Sequence, residues 1–417
     1  MVLLLLACTG PRVEPPTIAE RIGDYRFATP IDAPATLAML DGTETDTRAT
    51  TCGGCHDDHH AEWSRTTHAS AVHDVQFLAE LAKPGQPRWL CLNCHAPTLP
   101  QRAELITPST RLAEAGSVER LSTSPNPSFD ASRVAEGVGC ATCHVRRDPD
   151  GKGTVVGPRG SGRAPHRVRA DAEALRGVCE GCHSPGADIV ITPTFPCWFT
   201  TVEEITVGPL AGADCVDCHM PGASRPAAEG APAEALRQHT WPGGGLPKHV
   251  DQLPAPGDWQ PGLDVEVRSA PVEVRLQNAR AAHAIPTGDP ERHVLVEARA
   301  LDASGVEVSK DQLRIGQTWD WGDDTTGRPA TKLADNRLQA GETRAWTPVL
   351  KLDQAARVEV TVTYVRLTEA NAAKMAHTRL DAELQALWPD LPVHLAGPLA
   401  DYPRRRVIFS ESVALVR

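Results

Sequence analysis

The pattern of apolar and polar positions changes near residue 255 of the chain. Before it, apolar runs are short and interrupted by Pro- and Gly-rich stretches. Beyond it, segments appear with an apolar residue at every second position, as in half-buried antiparallel strands: these are 272–276, 294–298 and 358–364. A last strand is expected over 405–416 and a helical insertion near 369–387. We therefore expect an antiparallel β-sandwich domain over 256–417.

The first part of the chain is expected to combine short helices with loops. Residues 61–82 predict one helix, because a histidine and several apolar residues recur on one face at spacings of four, three and four. A second helix is expected over 170–176. These patterns predict a mainly α and loop domain at 46–255, joined to the sandwich by a Pro- and Gly-rich linker at 254–262. The fold class is then α+β and multidomain.

Ten of the twelve cysteines occur in five copies of the pattern Cys-x-x-Cys-His, and chance placement would give about 0.01 copies in such a chain. The cysteine pairs are Cys52 and Cys55, Cys91 and Cys94, Cys140 and Cys143, Cys179 and Cys182, and Cys215 and Cys218. The histidines that follow them are His56, His95, His144, His183 and His219. In this pattern the two thiols form thioethers with a haem and the histidine is the proximal ligand of its iron. The sequence predicts five covalently attached haem c groups.

Zinc binding and disulfide formation are the other uses of closely spaced cysteines. Zinc sites usually pair two Cys or His halves, so an odd number of identical units is a poor zinc design. Adjacent Cys-x-x-Cys pairs seldom make structural disulfides. Cys197 lies outside the motifs in an apolar segment without neighbouring charges, and we expect it to be a buried thiol rather than a redox centre.

Composition supports attached cofactors and limits the partners. Aromatic residues are only 4% of the 417 residues, so a compact first domain lacks core material that haem macrocycles would supply. The formal net charge of −11 argues against nucleic acid as a partner. The same charge favours redox partner proteins that present basic surfaces.

The N-terminus predicts a processing signal followed by a tether. Residues 1–8 form a short apolar run ending in Leu-Leu-Ala-Cys, which resembles a bacterial lipoprotein signal with Cys8 as the lipidated residue. No Lys or Arg precedes this run, so either translation starts upstream of Met1 or the resemblance is accidental. Residues 9–45 are expected to be a tether and lead-in segment. We expect a lipid-anchored protein in the periplasm or on the cell surface, with redox partners in the cell envelope.

Five haems with two histidine ligands each require five distal imidazoles as well as the five proximal ones. Eleven histidines lie outside the motifs, at positions 59, 60, 68, 73, 166, 239, 249, 283, 293, 377 and 394. Methionine is a weaker competitor, represented by Met39, Met220 and Met375. Ligation by two histidines would give lower potentials than ligation by histidine and methionine.

Two segments resemble the cytochrome c554 family and related multihaem cytochromes. They are 51–84, which contains WSRTTHA after the first motif, and 137–183, which begins with Gly-Val-Gly before the third. The resemblance implies that His68 is a distal ligand. The segment APHRV, ahead of the fourth motif, is similar to the family segment that supplies another distal histidine, here His166.

The later segments resemble other multihaem cytochromes. Cys215–Pro221 followed by HTWPG is similar to the end of the haem region in pentahaem nitrite reductases, which implies that His239 is a ligand. The segment HAIPTGDPER resembles a turn that opens a β-sandwich in many multihaem cytochromes, and implies that His283 reaches a haem from the second domain. His293 is the alternative ligand in this region.

The departures from these relatives favour electron transfer over catalysis. The nitrite reductases bind substrate at a Cys-x-x-Cys-Lys haem and the hydroxylamine oxidoreductases cross-link a tyrosine to theirs, whereas this chain has neither feature. The leading hypothesis is therefore an electron carrier rather than an enzyme. The alternative is a periplasmic oxidoreductase that acts on a small nitrogen or sulfur compound at a five-coordinate haem. A purely structural surface lipoprotein would leave the haems without a purpose.

Overall fold

The computed structural model of the chain describes residues 30–83, 88–106, 123–160, 163–184, 201–205, 208–253, 259–323 and 330–415, with Thr326 and Arg328. It is an α+β structure of short helices and several antiparallel sheets. Within those residues no helix has the length and apolarity needed to cross a bilayer. The expected leader with Cys8, the first part of the tether, Cys197 and the first part of the expected linker lie outside the described residues.

The helices are α1 Ala49–Gly53, α2 Asp57–Trp63, α3 Val75–Leu81, α4 Arg88–His95, α5 Cys140–His144, α6 Ala172–His183, α7 Thr201–Glu204, α8 Cys215–His219, α9 Glu369–Met375, α10 Ala382–Leu387 and α11 Ala396–Ala400. The strands of the first part are β1 Thr36–Ala38, β2 Glu44–Asp46, β3 Glu104–Ile106, β4 Thr123–Pro125, β5 Val145–Arg147, β6 Gly153–Gly157, β7 Val168–Ala170, β8 Gly222–Pro226 and β9 Ala233–Arg237. Those of the second part are β10 Leu263–Ser269, β11 Val272–Asn278, β12 His293–Leu301, β13 Glu307–Asp320, β14 Thr331–Asp335, β15 Thr343–Trp346, β16 Arg357–Val365 and β17 Arg405–Ala414.

The single helix expected over 61–82 is wrong. Helix α2 ends at Trp63 and α3 begins at Val75, with turns between them. The side chain of Thr66 explains the break, because its hydroxyl donates to the carbonyl oxygen of Trp63 at 2.7 Å and accepts from a following amide. Such local bonds compete with the helical ladder. Asp74 then caps α3, so the intervening segment, which carries His68, is irregular.

The helix expected over 170–176 is present but longer. Helix α6 begins at Ala172, where the Asp171 side chain accepts the amide of Ala174 at 3.0 Å, and it continues through the fourth motif to His183. The expected insertion at 369–387 is also helical, but it forms the two helices α9 and α10 rather than one.

Two antiparallel sheets of the second part share one hydrophobic core. One sheet has the strand order β10-β11-β15 and the other has the order β14-β13-β12-β16-β17. Val274 and Leu276 of the first sheet and Val294, Val296 and Val360 of the second are fully buried in the same cluster. The period-two positions identified in the sequence therefore face this core.

A second core joins α3 to the helical insertion. Leu78 and Leu81 of α3 are almost completely buried against Leu380, Leu384 and other residues of the 367–402 region. The two parts of the chain are thus held together by apolar packing as well as by the polar contacts described below.

Candidate haem-binding cavity

All fifteen motif residues line one cavity of about 3930 Å³. Pockets for single small molecules measure about 300–1,000 Å³, so this cavity has room for several macrocycles. Its wall is mostly apolar, and it also contains residues of the second part, including Ala282–Arg292. The cavity therefore fits the group that the five motifs would attach.

The motifs lie at or near helix ends, and their histidine rings are oriented by the backbone. Helices α4, α5, α6 and α8 each end on a motif histidine. The Nδ1 atoms of His56 and His144 lie 2.6 and 2.9 Å from the carbonyl oxygens of Ala227 and Val156. A carbonyl only accepts, so Nδ1 carries the proton and Nε2 is left as the ligand atom.

Four of the five motif histidines face a second imidazole. The pairs and their ring-centroid distances are His56 with His166 at 6.4 Å, His183 with His68 at 6.3 Å, His144 with His239 at 6.0 Å, and His219 with His283 at 6.2 Å. A metal-bound imidazole nitrogen lies about 2 Å from the metal and the ring centroid about 1.1 Å further, so two opposed ligands have centroids about 6.3 Å apart. These separations fit one iron between the members of each pair.

Burial keeps several of these imidazoles neutral, which is the form that binds a metal. Desolvation lowers the pKa of His68 to about 3, with a smaller contribution from His183. It lowers the pKa of His239 to about 3 and that of His183 to about 4. Gly137 contributes to the placement of His68, because its φ is +56° and a Cβ there would lie 2.8 Å from the His68 carbonyl oxygen.

His95 differs from the other motif histidines. Its ring stacks on Phe77 with centroids 3.8 Å apart, and its Nδ1 donates to the carbonyl of Ala71 at 2.7 Å. Among the described residues no second histidine ring lies opposite it at the separation of the four pairs. Met375, which packs against the same cluster as Cys91, also lines the cavity, as does Lys248.

Sequence reasoning missed His59. It lines the cavity, and its ring centroid lies 6.2 Å from that of His56 and 4.9 Å from that of His239. Its position one helical turn after the first motif was the available signal, but a position so close to a proximal ligand did not indicate a cavity-lining role. His293, the alternative to His283, is buried on β12 and is not among the residues that line the cavity.

The motifs contact one another through their cysteines. The sulfur atoms of Cys52 and Cys140 lie within hydrogen-bonding reach, and helix α1, which carries Cys52, packs against α5, so the first motif lies beside the third. Those of Cys94 and Cys182 lie within the same reach, so the second motif lies beside the fourth. Helix α6 also packs against α5, which brings the fourth motif beside the third, and Cys179 of the fourth motif lies near Cys215 of the fifth. Every motif therefore has a neighbouring motif, and the fourth has three.

A buried ionic cluster lies beside the second motif. The Lys248 ammonium pairs with the Asp74 carboxylate, and the Tyr402 hydroxyl donates to Asp74 at 2.8 Å. The Arg366 guanidinium lies 5.3 Å from the Tyr402 ring centroid. Burial lowers the pKa of Lys248 to about 8, although Asp74 acts in the opposite direction. Burial lowers the pKa of His95, and Lys248 adds to that effect while Asp74 opposes it.

Comparison with known proteins agrees with this site. The family described as cytochrome c554 and c-prime matches residues 51–118. The crystal structure of a penta-heme cytochrome c552 from Thermochromatium tepidum is 20% identical to this chain with a TM-score of 0.55, and the match covers 88% of this chain and 99% of that one. No curated protein matches at a significant level.

The motifs, the cavity and these likenesses identify a multihaem c-type cytochrome. They support haem c as its cofactor and haem-based electron transfer as its chemistry. The structural likeness extends over most of both chains and shows a shared fold.

Proposed function

We propose that the protein transfers electrons in the cell envelope through five covalently bound haems. The observation that carries this proposal is that all five motifs line one cavity and that each lies beside another motif. Bound haem supplies reversible one-electron chemistry. The contribution of the chain is to attach the groups close together and to surround them with an apolar wall.

The axial ligands proposed for four of the haems are the histidine pairs of the cavity. His166, His68, His239 and His283 would be the distal ligands opposite His56, His183, His144 and His219 respectively. The centroid distances of 6.0–6.4 Å support this assignment. Of the eleven histidines outside the motifs, these four and His59 line the cavity. His59 lies one helical turn after His56, too close along α2 to reach the opposite side of an iron that His56 would bind, and its ring packs against that of His239, so we assign it no iron.

The domain arrangement that accompanies this function is a haem-carrying domain at 46–255 and a β-sandwich domain at 256–417. The common core of the two larger sheets supports the sandwich. The placement of His283 opposite His219 supports a ligand that crosses from the second domain to the first.

The location proposed for the protein is the periplasm or the cell surface. A lipid anchor at Cys8 would hold it at a membrane, and residues 9–45 would provide a tether. The net charge of −11 supports redox partner proteins with basic surfaces and argues against nucleic acid.

Electron exchange between the haems tests the proposal. Oxidised holoprotein would be mixed with a substoichiometric one-electron donor while absorbance follows the haem bands. We expect the electrons to redistribute among all haems at a rate independent of protein concentration. The variant that replaces both Cys140 and Cys143 by serine is the matched comparison. It prevents covalent attachment of a haem at the third motif, which lies between the first motif and the fourth. Redistribution that is bimolecular in the wild-type protein would contradict the proposal.

A second candidate function is reduction or oxidation of a small nitrogen or sulfur compound at the haem attached through Cys91 and Cys94. The observation that favours it is that His95 lacks an opposed imidazole among the described residues, while the Lys248 and Asp74 charges lie nearby. An electron paramagnetic resonance spectrum with one high-spin haem that nitrite or sulfite shifts would support this function.

The competing result is a sixth ligand from the protein. If all haems are low spin in the wild-type protein and Met375→Leu makes one of them high spin, then Met375 closes that coordination site. In that case the protein is an electron carrier without an open haem, and the second candidate function is wrong.

A further inference from the structure

The carboxylate of Glu204 contacts the turn that bears His283. Its side chain is only 8% exposed at the end of α7. One oxygen accepts the backbone amide of Ala284 at 3.1 Å and the hydroxyl of Thr287 at 2.8 Å. The other oxygen accepts from the guanidinium of Arg337 at 2.6 Å. A group from the first part of the chain therefore holds both sides of this turn.

The hydrogen bonds run from Glu204 to the imidazole through one residue. Ala284 is completely buried, and its amide is bound by Glu204 while its carbonyl oxygen lies 3.0 Å from Nδ1 of His283. The ring orientation of His283 thus depends on the orientation of the Ala284 backbone. A buried backbone amide without an acceptor is costly. The Glu204 carboxylate therefore favours the orientation of the Ala284 backbone that turns the His283 ring towards His219.

The charge of Glu204 is balanced at the same place. The Arg337 side chain is 9% exposed and also donates to the Asp335 carboxylate, at 2.9 Å. Burial alone would lower the pKa of Arg337, but Asp335 and Glu204 raise it above its ordinary value. A buried carboxylate is retained at low cost only when it is paired and hydrogen-bonded in this way.

We infer that Glu204 is a positioning residue that fixes His283 opposite His219. The inference rests on the proposed role of His283 as an axial ligand. On this inference the Glu204 carboxylate, in the first part of the chain, holds His283, in the second part, in a fixed orientation. The two parts are then joined at the ligand itself.

The same arrangement occurs at a second histidine pair. Glu62 accepts the backbone amide of His239 at 2.7 Å and forms a two-point ion pair with Arg225 at 2.5 and 2.7 Å. His239 is the imidazole opposite His144. Two of the four pairs thus use a glutamate that holds the backbone beside the imidazole and is neutralised by an arginine, which supports a positioning role for both glutamates.

The test compares spin states in holoprotein variants by electron paramagnetic resonance. In Glu204→Ala we expect up to one fifth of the haem iron to change from low to high spin, because one of five haems loses a correctly placed ligand. Added imidazole should restore the low-spin signal. Glu204→Gln keeps an acceptor oxygen and should give a smaller high-spin fraction. Glu307→Gln, which alters a surface pair with Arg299, is the control and should give none.

His283→Ala separates the two ways in which the inference can fail. If His283→Ala gives one high-spin haem while both Glu204 variants stay fully low spin, the ligand assignment stands and the positioning role is wrong. If His283→Ala stays low spin, the ligand assignment is wrong and the inference fails with it. Should Glu204→Ala not accumulate as folded protein, Thr287→Val removes one of the same hydrogen bonds, and an unchanged spectrum in both Thr287→Val and Glu204→Gln would overturn the inference.

Discussion

Replacing Asp74 by asparagine would separate the two roles of this side chain. Asp74 caps α3, where one carboxylate oxygen accepts the amide of Gln76 at 3.2 Å, and it pairs with the ammonium of Lys248. The Asp74 and Lys248 side chains are only 9% and 11% exposed. Asparagine is as good a cap as aspartate, so Asp74→Asn removes the charge and leaves the cap.

The expected loss of stability follows from the pKa of Asp74. Burial alone would raise this pKa, but Lys248 and further partners lower it from 3.8 to about 2. The difference corresponds to about 2 kcal/mol of stability at neutral pH. Leaving the Lys248 ammonium buried without its partner raises the expected cost to about 3–5 kcal/mol. We therefore expect Asp74→Asn to lower the free energy of unfolding by about 2–5 kcal/mol at pH 7.

The pH dependence has a definite sign. The carboxyl pKa is lower in the folded than in the unfolded state, so the contribution of Asp74 is complete above pH 3.8 and is lost as the pH falls towards 2. The difference between wild type and Asp74→Asn should accordingly shrink as the pH falls through that range.

Amide hydrogen exchange of α3 in the holoprotein measures this effect. Asp381→Asn is the matched control, because Asp381 also caps a helix and pairs with an arginine, Arg88, but is 45% exposed. An exposed pair contributes at most about 1 kcal/mol, so the control should change little. Equal protection of α3 in wild type and Asp74→Asn would refute the reasoning. Because Phe77 of α3 stacks on His95, the loosened helix should also alter the spectrum of that haem.

Three further outcomes are expected. The intact mass of protein matured in a cytochrome c-producing host should show five haem additions, and unmodified cysteines mapped to one motif would disprove that number. If Cys8 is lipidated, Cys8→Ser should release the protein from membranes with its haems still attached, whereas an unchanged membrane fraction would exclude the anchor. His283→Ala should raise the potential of one haem and increase proteolysis near 254–262, while undiminished protection there would show that this imidazole does not hold the two parts together.

The attachment chemistry stays a prediction, and it needs only the sequence because each motif is local. Two thiols and an imidazole within five residues determine their own geometry on one helical turn, whatever surrounds them. The strands of the second part were also predictable. The alternation of apolar and polar residues at 358–364 requires only that one face of the sheet is buried, and β16 confirms the strand expected there. The segments around His68, His166, His239 and His283 identified cavity-lining imidazoles.

The parts that could not be predicted depend on contacts between distant residues. The pairing of His68 with the fourth motif rather than a nearer one is decided by how the chain folds between residues 64 and 74. The helical periodicity there was misleading. The Thr66 hydroxyl and the Asp74 carboxylate form hydrogen bonds with nearby backbone groups, and these bonds compete with the hydrogen bonds of a continuous helix. The role proposed for Glu204 could not be predicted from the sequence either, since its partners Ala284 and Arg337 lie 80 and 133 residues away along the chain.

The linker region raises the question of whether the second part is a separate module on a flexible tether. Three sets of contacts argue that it is docked on the first. Leu78 packs in one core with Leu384, Asp74 accepts from Tyr402, and Glu204 pairs with Arg337. A flexible module would have to break all three to move. The combination of apolar packing, buried ion pairs and the contact of Glu204 with the His283 turn therefore makes the second part a wall of the cavity rather than an appendage, and this explains how a chain so poor in aromatic residues encloses so large a cavity.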